Sequence, residues 1–265
     1  MTEAELSQRV AFHNEIAPAY DDYVTRKRSD ILARAAFVDL VSDYVLTGGT
    51  LLDFGSGTGL DAREYVQRGY RVLAYDNSPG MMAQLERRCR EEIASGTVTP
   101  YMMDYGSFLD RAAHWPSAQA VVSNFAVLNL IGDPEILFDT FARLLTPPGW
   151  IVTSVLNPLH WTKVRKLAWW RNVLSRHDSP PVFVEQPYIA YLPFVSRFLR
   201  AARQFRLVGQ GYAGKLVRFD QADRNAGGRI WRGDGELSRV ERALWHTAAY
   251  RLLGEFVFLV LRRDP

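Results

Sequence analysis

Three acidic residues fall where predicted strands run into loops: Asp53 in Leu51-Leu52-Asp53-Phe54-Gly55-Ser56-Gly57-Thr58-Gly59, Asp76 in Ala74-Tyr75-Asp76, and Asp104 in Tyr101-Met102-Met103-Asp104. Glycines at alternate positions let the backbone turn sharply after a buried strand and come close to a ligand at a helix N-terminus, which implies a nucleotide-type cofactor. The spacing departs from the dinucleotide fingerprint, because Leu60 follows Gly59 and an acid already stands in the strand. A carboxylate there is awkward beside a pyrophosphate. It suits a ligand with an ammonium group and no phosphates, such as the amino-acid end of S-adenosylmethionine. At the tip of the neighbouring strand, Asp76 has one oxygen for each hydroxyl of a ribose. Asp104 is placed to accept from the exocyclic amine of an adenine, with methionine side chains offering apolar contact to the ring. Any one of these acids could instead cap a helix; three in register behind a glycine-rich loop favour a cofactor cleft.

The surrounding pattern supplies the scaffold. Residues from Glu3 to about Val45 read as helices, with Ser29 and Asp30 as candidate caps, and Gly48-Gly49 closes that block. Strand-like and helix-like stretches then alternate: strands at Thr50–Phe54, Arg71–Tyr75, Thr97–Met103, Ala118–Phe125 and Trp150–Leu156, helices at Leu60–Arg68, Pro79–Ser95 and Asp133–Leu145. That rhythm implies βαβ units and a parallel sheet. It breaks after Asn157-Pro158 for about 50 residues and resumes with Arg206–Gln210, a helix near Glu236–Leu253 and the apolar Phe256–Leu261. The interruption reads as an insertion over the carboxyl end of the sheet, where open α/β folds bind ligands. The expected organisation is one domain over 1–265: an N-terminal helical lid (1–46), a core (47–156 and 206–265) and a substrate-lid insertion (157–205).

Composition narrows the class. With 48% hydrophobic and 23% charged residues, the chain of 265 lies near the globular average, against disorder or a coiled coil. One cysteine, Cys89, leaves no intramolecular disulfide, no cysteine-rich zinc site and no cysteine-held iron–sulfur cluster, and no metal is expected. A reducing, cytoplasmic location is the natural expectation, with neither a signal peptide nor a membrane span. The net charge of +3 is uneven: nine Lys and Arg face two acids between Asn157 and Arg206. Such a segment suits an acidic substrate, a membrane surface or nucleic acid, or simply arginine stems covering apolar surface.

These motifs together resemble the class I S-adenosylmethionine-dependent methyltransferases, in their small-molecule branch, from about Phe12 to the last strand. The resemblance implies an α/β Rossmann-like fold: a mostly parallel seven-stranded sheet with helices on both faces, an N-terminal helical lid and an insertion after the fifth strand. LLDFGSGTGLDA is similar to the family's first motif, which assigns Asp53, Gly55, Ser56, Gly57 and Gly59 to the methionine moiety. VLAYDNSPGMM is similar to the second, placing Asp76 on the ribose and Asn77 and Met81 beside the adenosine. MMDY looks like the third, giving Met103 and Asp104 to the adenine, and AVVSNFAVLNLIGDPE resembles the fourth, with Asn124 and Phe125 lining the cofactor. FHNEIAPAYDDYV is similar to the family's lid, whose tyrosine, here Tyr20, closes over the cofactor. S-adenosylhomocysteine is then the product. The fourth strand reads Ser123-Asn124-Phe125-Ala126 and lacks the Asn/Asp-Pro-Pro-Tyr/Phe tetrad that the family uses for N-methylation of planar amides and amines.

Methyl transfer from a sulfonium is an in-line displacement, so alignment and exclusion of water are the main tasks. A phenol, enol or amine acceptor also benefits from a general base, and histidine is the usual residue. His160, just past the fifth strand, is the first candidate, and His13, before Tyr20, the second. Trp161, Tyr188 and Tyr191 are candidate pocket walls, and Arg165, Arg171, Arg197 and Arg200 candidate partners for an acidic acceptor. The segment LHWTKVRKLAWWRNVLSRH has apolar residues around most of its helical circumference, which favours a helix packed over a pocket rather than on a membrane. The favoured reading is O-methylation of an aromatic or polyketide-like small molecule. The alternatives are a nucleic-acid methyltransferase, supported by charge alone, and a non-catalytic S-adenosylmethionine-binding regulatory domain. The oligomeric state, monomer or homodimer, is not read from the sequence.

Overall fold

The computed structural model describes residues 3–26, 28–167, 169–170, 182–185, 188–191, 195–213, 217–221, 229–231 and 251–264. The chain opens with helices α1 (Glu3–Ile16), α2 (Tyr20–Arg26) and α3 (Arg28–Tyr44), α1 and α2 being joined by a 3-10 turn at Ala17–Ala19. Because α3 begins at Arg28, Ser29 and Asp30 lie in its first turn rather than capping it. Alternation then follows: β1 (Thr50–Phe54), α4 (Leu60–Gln67), β2 (Arg71–Asp76), α5 (Pro79–Arg88), α6 (Arg90–Ala94), β3 (Val98–Met102), α7 (Tyr105–Arg111), β4 (Ala118–Ser123), α8 (Pro134–Leu144) and β5 (Leu145–Leu156). Of these, α7 stands where the sequence reading places no helix. The single helix expected over Pro79–Ser95 is broken at Cys89, whose φ of −101° and ψ of 29° are not helical. Beyond β5 come α9 (Trp161–Val164), the hairpin β6 (Val182–Glu185) and β7 (Tyr188–Tyr191), α10 (Val195–Ala201), β8 (Arg206–Ala213), β9 (Val217–Gln221), β10 (Arg229–Trp231) and β11 (Phe256–Arg263). The helix expected near Glu236–Leu253 falls mostly outside the described residues.

The main sheet has the order β3-β2-β1-β4-β5-β11-β8-β9-β10. Its first five strands are parallel, and β11 and β9 run against the rest. The seven strands from β3 to β8 are the sheet the resemblance implies; β9 and β10 extend its far edge. Side chains alternate between two apolar layers. Leu51, Val72, Ala74, Val122 and Val152 pack with Phe37 and Val41 of α3, Tyr65 of α4 and Leu85 of α5. Leu52, Phe54, Leu73, Val121 and Ile151 pack with Phe108, Phe138, Phe141 and Phe198 on the other face. Each fully buried ring contributes about 1.5–3 kcal/mol, so both layers fix the strands firmly. Strand order reverses between β1 and β4, and the crevice at such a switch point is where an open α/β sheet offers a site.

Candidate active site

A cavity of about 430 Å³ opens at that switch point. Its floor is the carboxyl end of the sheet, with Asp53 through Thr58 at the end of β1 and in the loop beyond, Asp76 and Asn77 at the end of β2, Asn124 through Val127 after β4, and Leu156 at the end of β5. Phe12, His13, Ile16, Tyr20 and Val24 of the N-terminal helices cover it. The glycine-rich loop turns through left-handed backbone at Gly55, Gly57 and Gly59, with φ of 80°, 54° and 80°. A Cβ at Gly57 would meet nothing within 4 Å, so the backbone there faces open space. Gly59 does different work. It is the N-cap of α4, lies off the cavity wall, and a Cβ on it would stand 2.9 Å from Leu85 Cγ.

Asp76 joins two loops. Its Oδ2 accepts from the Gly57 amide at 2.8 Å and its Oδ1 from the Ser78 amide at 2.9 Å. Burial pushes its carboxyl above the ordinary range, opposed by those amides and by the nearby His13. Each oxygen keeps a lone pair for a ribose hydroxyl. Ser78 caps α5, donating its hydroxyl to Asn14 Oδ1 at 2.7 Å, and the Gly80 amide donates to the same oxygen at 2.8 Å. Asp21 secures the other lid helix: Thr58 Oγ1 donates to its Oδ1 at 2.5 Å and Arg88 pairs with its Oδ2. The N-terminal helices are thus fastened by polar contacts to the loops after β1 and β2.

Behind the glycine-rich loop, Asp53 is only 2% exposed and its Oδ2 has no hydrogen-bond partner among the described residues. Burial first, then the charge of Asp61, pushes its carboxyl well above the ordinary range, while Arg34 pulls it back. Arg34 pairs with Asp61, lies 4.6 Å over the Phe125 ring and lines the cavity. Asn124 Nδ2 donates to the other Asp61 oxygen at 3.0 Å, and Asn124 Oδ1 accepts from the Phe125 amide and from Ser154 Oγ. A buried, unpartnered carboxylate beside a cation suits a zwitterion, its ammonium toward Asp53 and its carboxylate toward Arg34. The sequence reading missed Arg34; a cation amid the apolar run of α3 was its only signal. These residues fit S-adenosylmethionine. Phe125 and Ala126 hold left-handed φ of 52° and 64°, unusual for side-chain-bearing residues and a mark of functional sites.

Several expected residues lie elsewhere. Asp104 caps α7, accepting from the Ser107 amide at 2.9 Å and the Ser107 hydroxyl at 2.6 Å; it is exposed and off the cavity wall. Those bonds lower its carboxyl pKa. Met103 packs against the core and does not line the cavity; Tyr105, just past Asp104, does. His160 also lies off the wall. Asn157 Nδ2 donates to the Arg251 and Gly254 carbonyls at 2.6 and 2.7 Å, turning the chain aside, and His160 becomes the N-cap of α9 with its Nδ1 2.7 Å from Thr162 Oγ1. Burial, then Lys163, lowers its pKa. Trp161 is 44% exposed under Arg165, rather than a pocket wall. Tyr191, Arg165, Arg197 and Arg200 do not line the cavity either; Tyr191 instead receives Asn129 Nδ2 on its carbonyl at 2.7 Å. Arg171 and the Tyr188 side chain lie outside the described residues. Of the two histidines, His13 reaches the cleft. Its Nδ1 is 2.8 Å from the Arg9 carbonyl, which only accepts, so Nδ1 carries the proton and Nε2 is the basic nitrogen.

A family model described as a methyltransferase domain matches residues 20–186. A ubiquinone biosynthesis O-methyltransferase of Xanthomonas euvesicatoria is 30% identical over 112 residues, 42% of this chain and 45% of that protein. A demethylmenaquinone methyltransferase of Clavibacter sepedonicus is 29% identical over 162 residues, 57% of this chain and 61% of that protein. The chain thus spans about half the length of the curated relatives it matches. Among solved structures, an S-adenosylmethionine-dependent methyltransferase from Mesorhizobium loti superposes with a TM-score of 0.52 at 18% identity, over 86% of this chain and 96% of that one. Geranyl diphosphate C-methyltransferase from Streptomyces coelicolor gives a TM-score of 0.52 at 18% identity, over 86% and 77%. With a family match across more than half its length and the sheet order described above, the chain belongs to the methyltransferase domain family, on the class I S-adenosylmethionine-dependent fold.

Proposed function

We propose that this protein transfers a methyl group from S-adenosylmethionine to an oxygen of an aromatic or polyketide-like small molecule. The observation that carries the cofactor half is the buried, unpartnered Asp53 Oδ2 on the wall of a cavity that also presents Arg34 and Asp76. When bound, the cofactor supplies an electrophilic methyl group on a sulfonium. The chain's residues hold the amino-acid end between Asp53 and Arg34, accept the ribose hydroxyls on Asp76, and exclude water with Phe12, Ile16 and Tyr20. For the acceptor, Leu130, Ile131 and Phe256 offer an apolar wall suited to a ring. His13 Nε2 is the proposed destination of the acceptor's hydroxyl proton. The relatives named for ubiquinone and demethylmenaquinone support a small, ring-bearing acceptor. Arg165, Arg197 and Arg200, being off the cavity wall, are not its anchors.

The test pairs calorimetry with turnover. S-adenosylhomocysteine is expected to bind the wild type, and labelled S-adenosylmethionine to deliver its methyl group to a hydroxylated aromatic acceptor. His13→Ala should lower turnover by about 10²–10⁴-fold with cofactor affinity near normal. No binding of S-adenosylhomocysteine rejects the proposal; binding without transfer to any hydroxylated ring in a panel rejects its acceptor half.

A further inference from the structure

Two phenol hydroxyls remain unused by the site as described. Tyr75 Oη and Tyr105 Oη are both buried without a hydrogen-bond partner among the described residues, and both tyrosines line the cavity. Tyr75 directly precedes Asp76 and is 3% exposed, its ring stacked on Phe54 at 5.2 Å and tilted against Phe108 at 4.4 Å. Tyr105 opens α7, next to the Asp104 cap. Tyr105 stands about one helical turn before Phe108 on α7, and the Phe108 ring lies 4.4 Å from that of Tyr75, so the two tyrosines share one end of the cavity. Burial raises both phenol pKa values. Both are therefore protonated O–H groups, each able to donate and to accept. Leaving one such group buried and unpaired costs about 1–3 kcal/mol, so a neighbouring pair on a cavity wall implies a ligand that satisfies them.

We propose that Tyr75 and Tyr105 read the edge of the cofactor's base, in the role expected of Asp104: one hydroxyl accepts from the exocyclic amine and the other donates to the adjacent ring nitrogen. The proposal rests on the S-adenosylmethionine reading of the cleft. It carries a consequence that a carboxylate does not share. A carboxylate only accepts, so it repels a base with a carbonyl in place of the amine. A hydroxyl rotates and can donate to that carbonyl, while its partner accepts from the ring N–H. Base recognition here is permissive, with adenine and hypoxanthine both accommodated.

Calorimetry on the wild type, Tyr75→Phe and Tyr105→Phe, with S-adenosylhomocysteine and S-inosylhomocysteine as probes, tests this. The wild type is expected to bind the two probes within about tenfold of each other, and each phenylalanine variant to lose about five- to tenfold toward S-adenosylhomocysteine. The ligand-free variants are expected to melt no lower than the wild type, because no internal hydrogen bond is lost. Wild-type affinity in both variants overturns the proposal, as does a lower melting temperature with unchanged affinity. A wild-type preference for the adenine probe of more than about a hundredfold that survives in both variants also overturns it. If the wild type fails to bind S-adenosylhomocysteine at all, the cofactor reading falls and this one with it; normal wild-type binding with indifferent variants refutes the tyrosine reading alone.

Discussion

Replacing Asp53 with Asn is the sharpest perturbation of the proposed cofactor site, because it keeps the shape and removes the charge. In the free protein the Asp53 carboxylate is buried with one oxygen unpaired. Its folded pKa stands well above the unfolded value of about 3.9. A carboxyl with a raised folded pKa contributes stability that is full below the unfolded pKa and is lost as pH rises through the folded one. The free wild type should therefore lose stability across that window while Asp53→Asn does not, leaving the variant more stable at neutral pH by about 1–3 kcal/mol. Binding runs the other way. A charged hydrogen bond to the ligand's ammonium is worth about 1.5–3 kcal/mol, or about 10- to 150-fold in Kd. Affinity of the wild type for S-adenosylhomocysteine should also climb with pH through the raised pKa and then level off, a dependence the variant lacks. Calorimetry from pH 5 to 8 and thermal melts of the free proteins measure both. Equal affinities, or the same pH slope in both proteins, would refute the reasoning.

Arg34→Met should cost about 3–5 kcal/mol of stability, since it strands the buried Asp61; denaturant melts check this, with Arg34→Met/Asp61→Leu expected to recover part of the loss. Gly57→Val should weaken S-adenosylhomocysteine binding with only about 1–2 kcal/mol of backbone strain, because its side chain enters open space at a left-handed residue. Gly80→Ala places a Cβ 3.0 Å from the Asn14 backbone; faster proteolysis of the N-terminal helices would show α1 loosened. His160→Ala should leave kcat within about threefold of the wild type, in contrast to His13→Ala.

Legibility followed the range of the interactions. The glycine-rich loop and Asp76 are local features, a strand end and the turn beside it, so residue type and spacing locate them. Asp104 shares that local signature but has a different fate. A strand-end acid serves as a ligand contact or as a cap according to where the next helix begins, and α7 begins at Tyr105, immediately after it. His160 was misplaced because Asn157 is bonded to residues 94 and 97 positions away, a contact no local pattern discloses. Arg34 depends on a partner 27 residues on, reached only once α3 packs beside α4. The sheet's first seven strands were readable from alternation; β9 and β10 were not, since they answer to an edge rather than to a buried face.

Asp76, the proposed ribose carboxylate, also ties neighbouring segments together. Its two oxygens tie the Gly57 and Ser78 amides, and from those loops Thr58 holds Asp21 and Ser78 holds Asn14. One carboxylate therefore couples the loops after β1 and β2 to helices α1 and α2. Asp76→Asn keeps one accepting oxygen and loses the other, so one loop should loosen; Asp76→Ala frees both. If coupling operates, the alanine variant will lose more affinity for S-adenosylhomocysteine than the about 1.5–3 kcal/mol of a charged hydrogen bond. It will also expose the Gly57, Ser78 and Gly80 amides to hydrogen exchange in the free protein. An affinity loss confined to that range, with amide protection unchanged, would mean that the loops and lid hold their places without Asp76 and that its work is on the ribose alone.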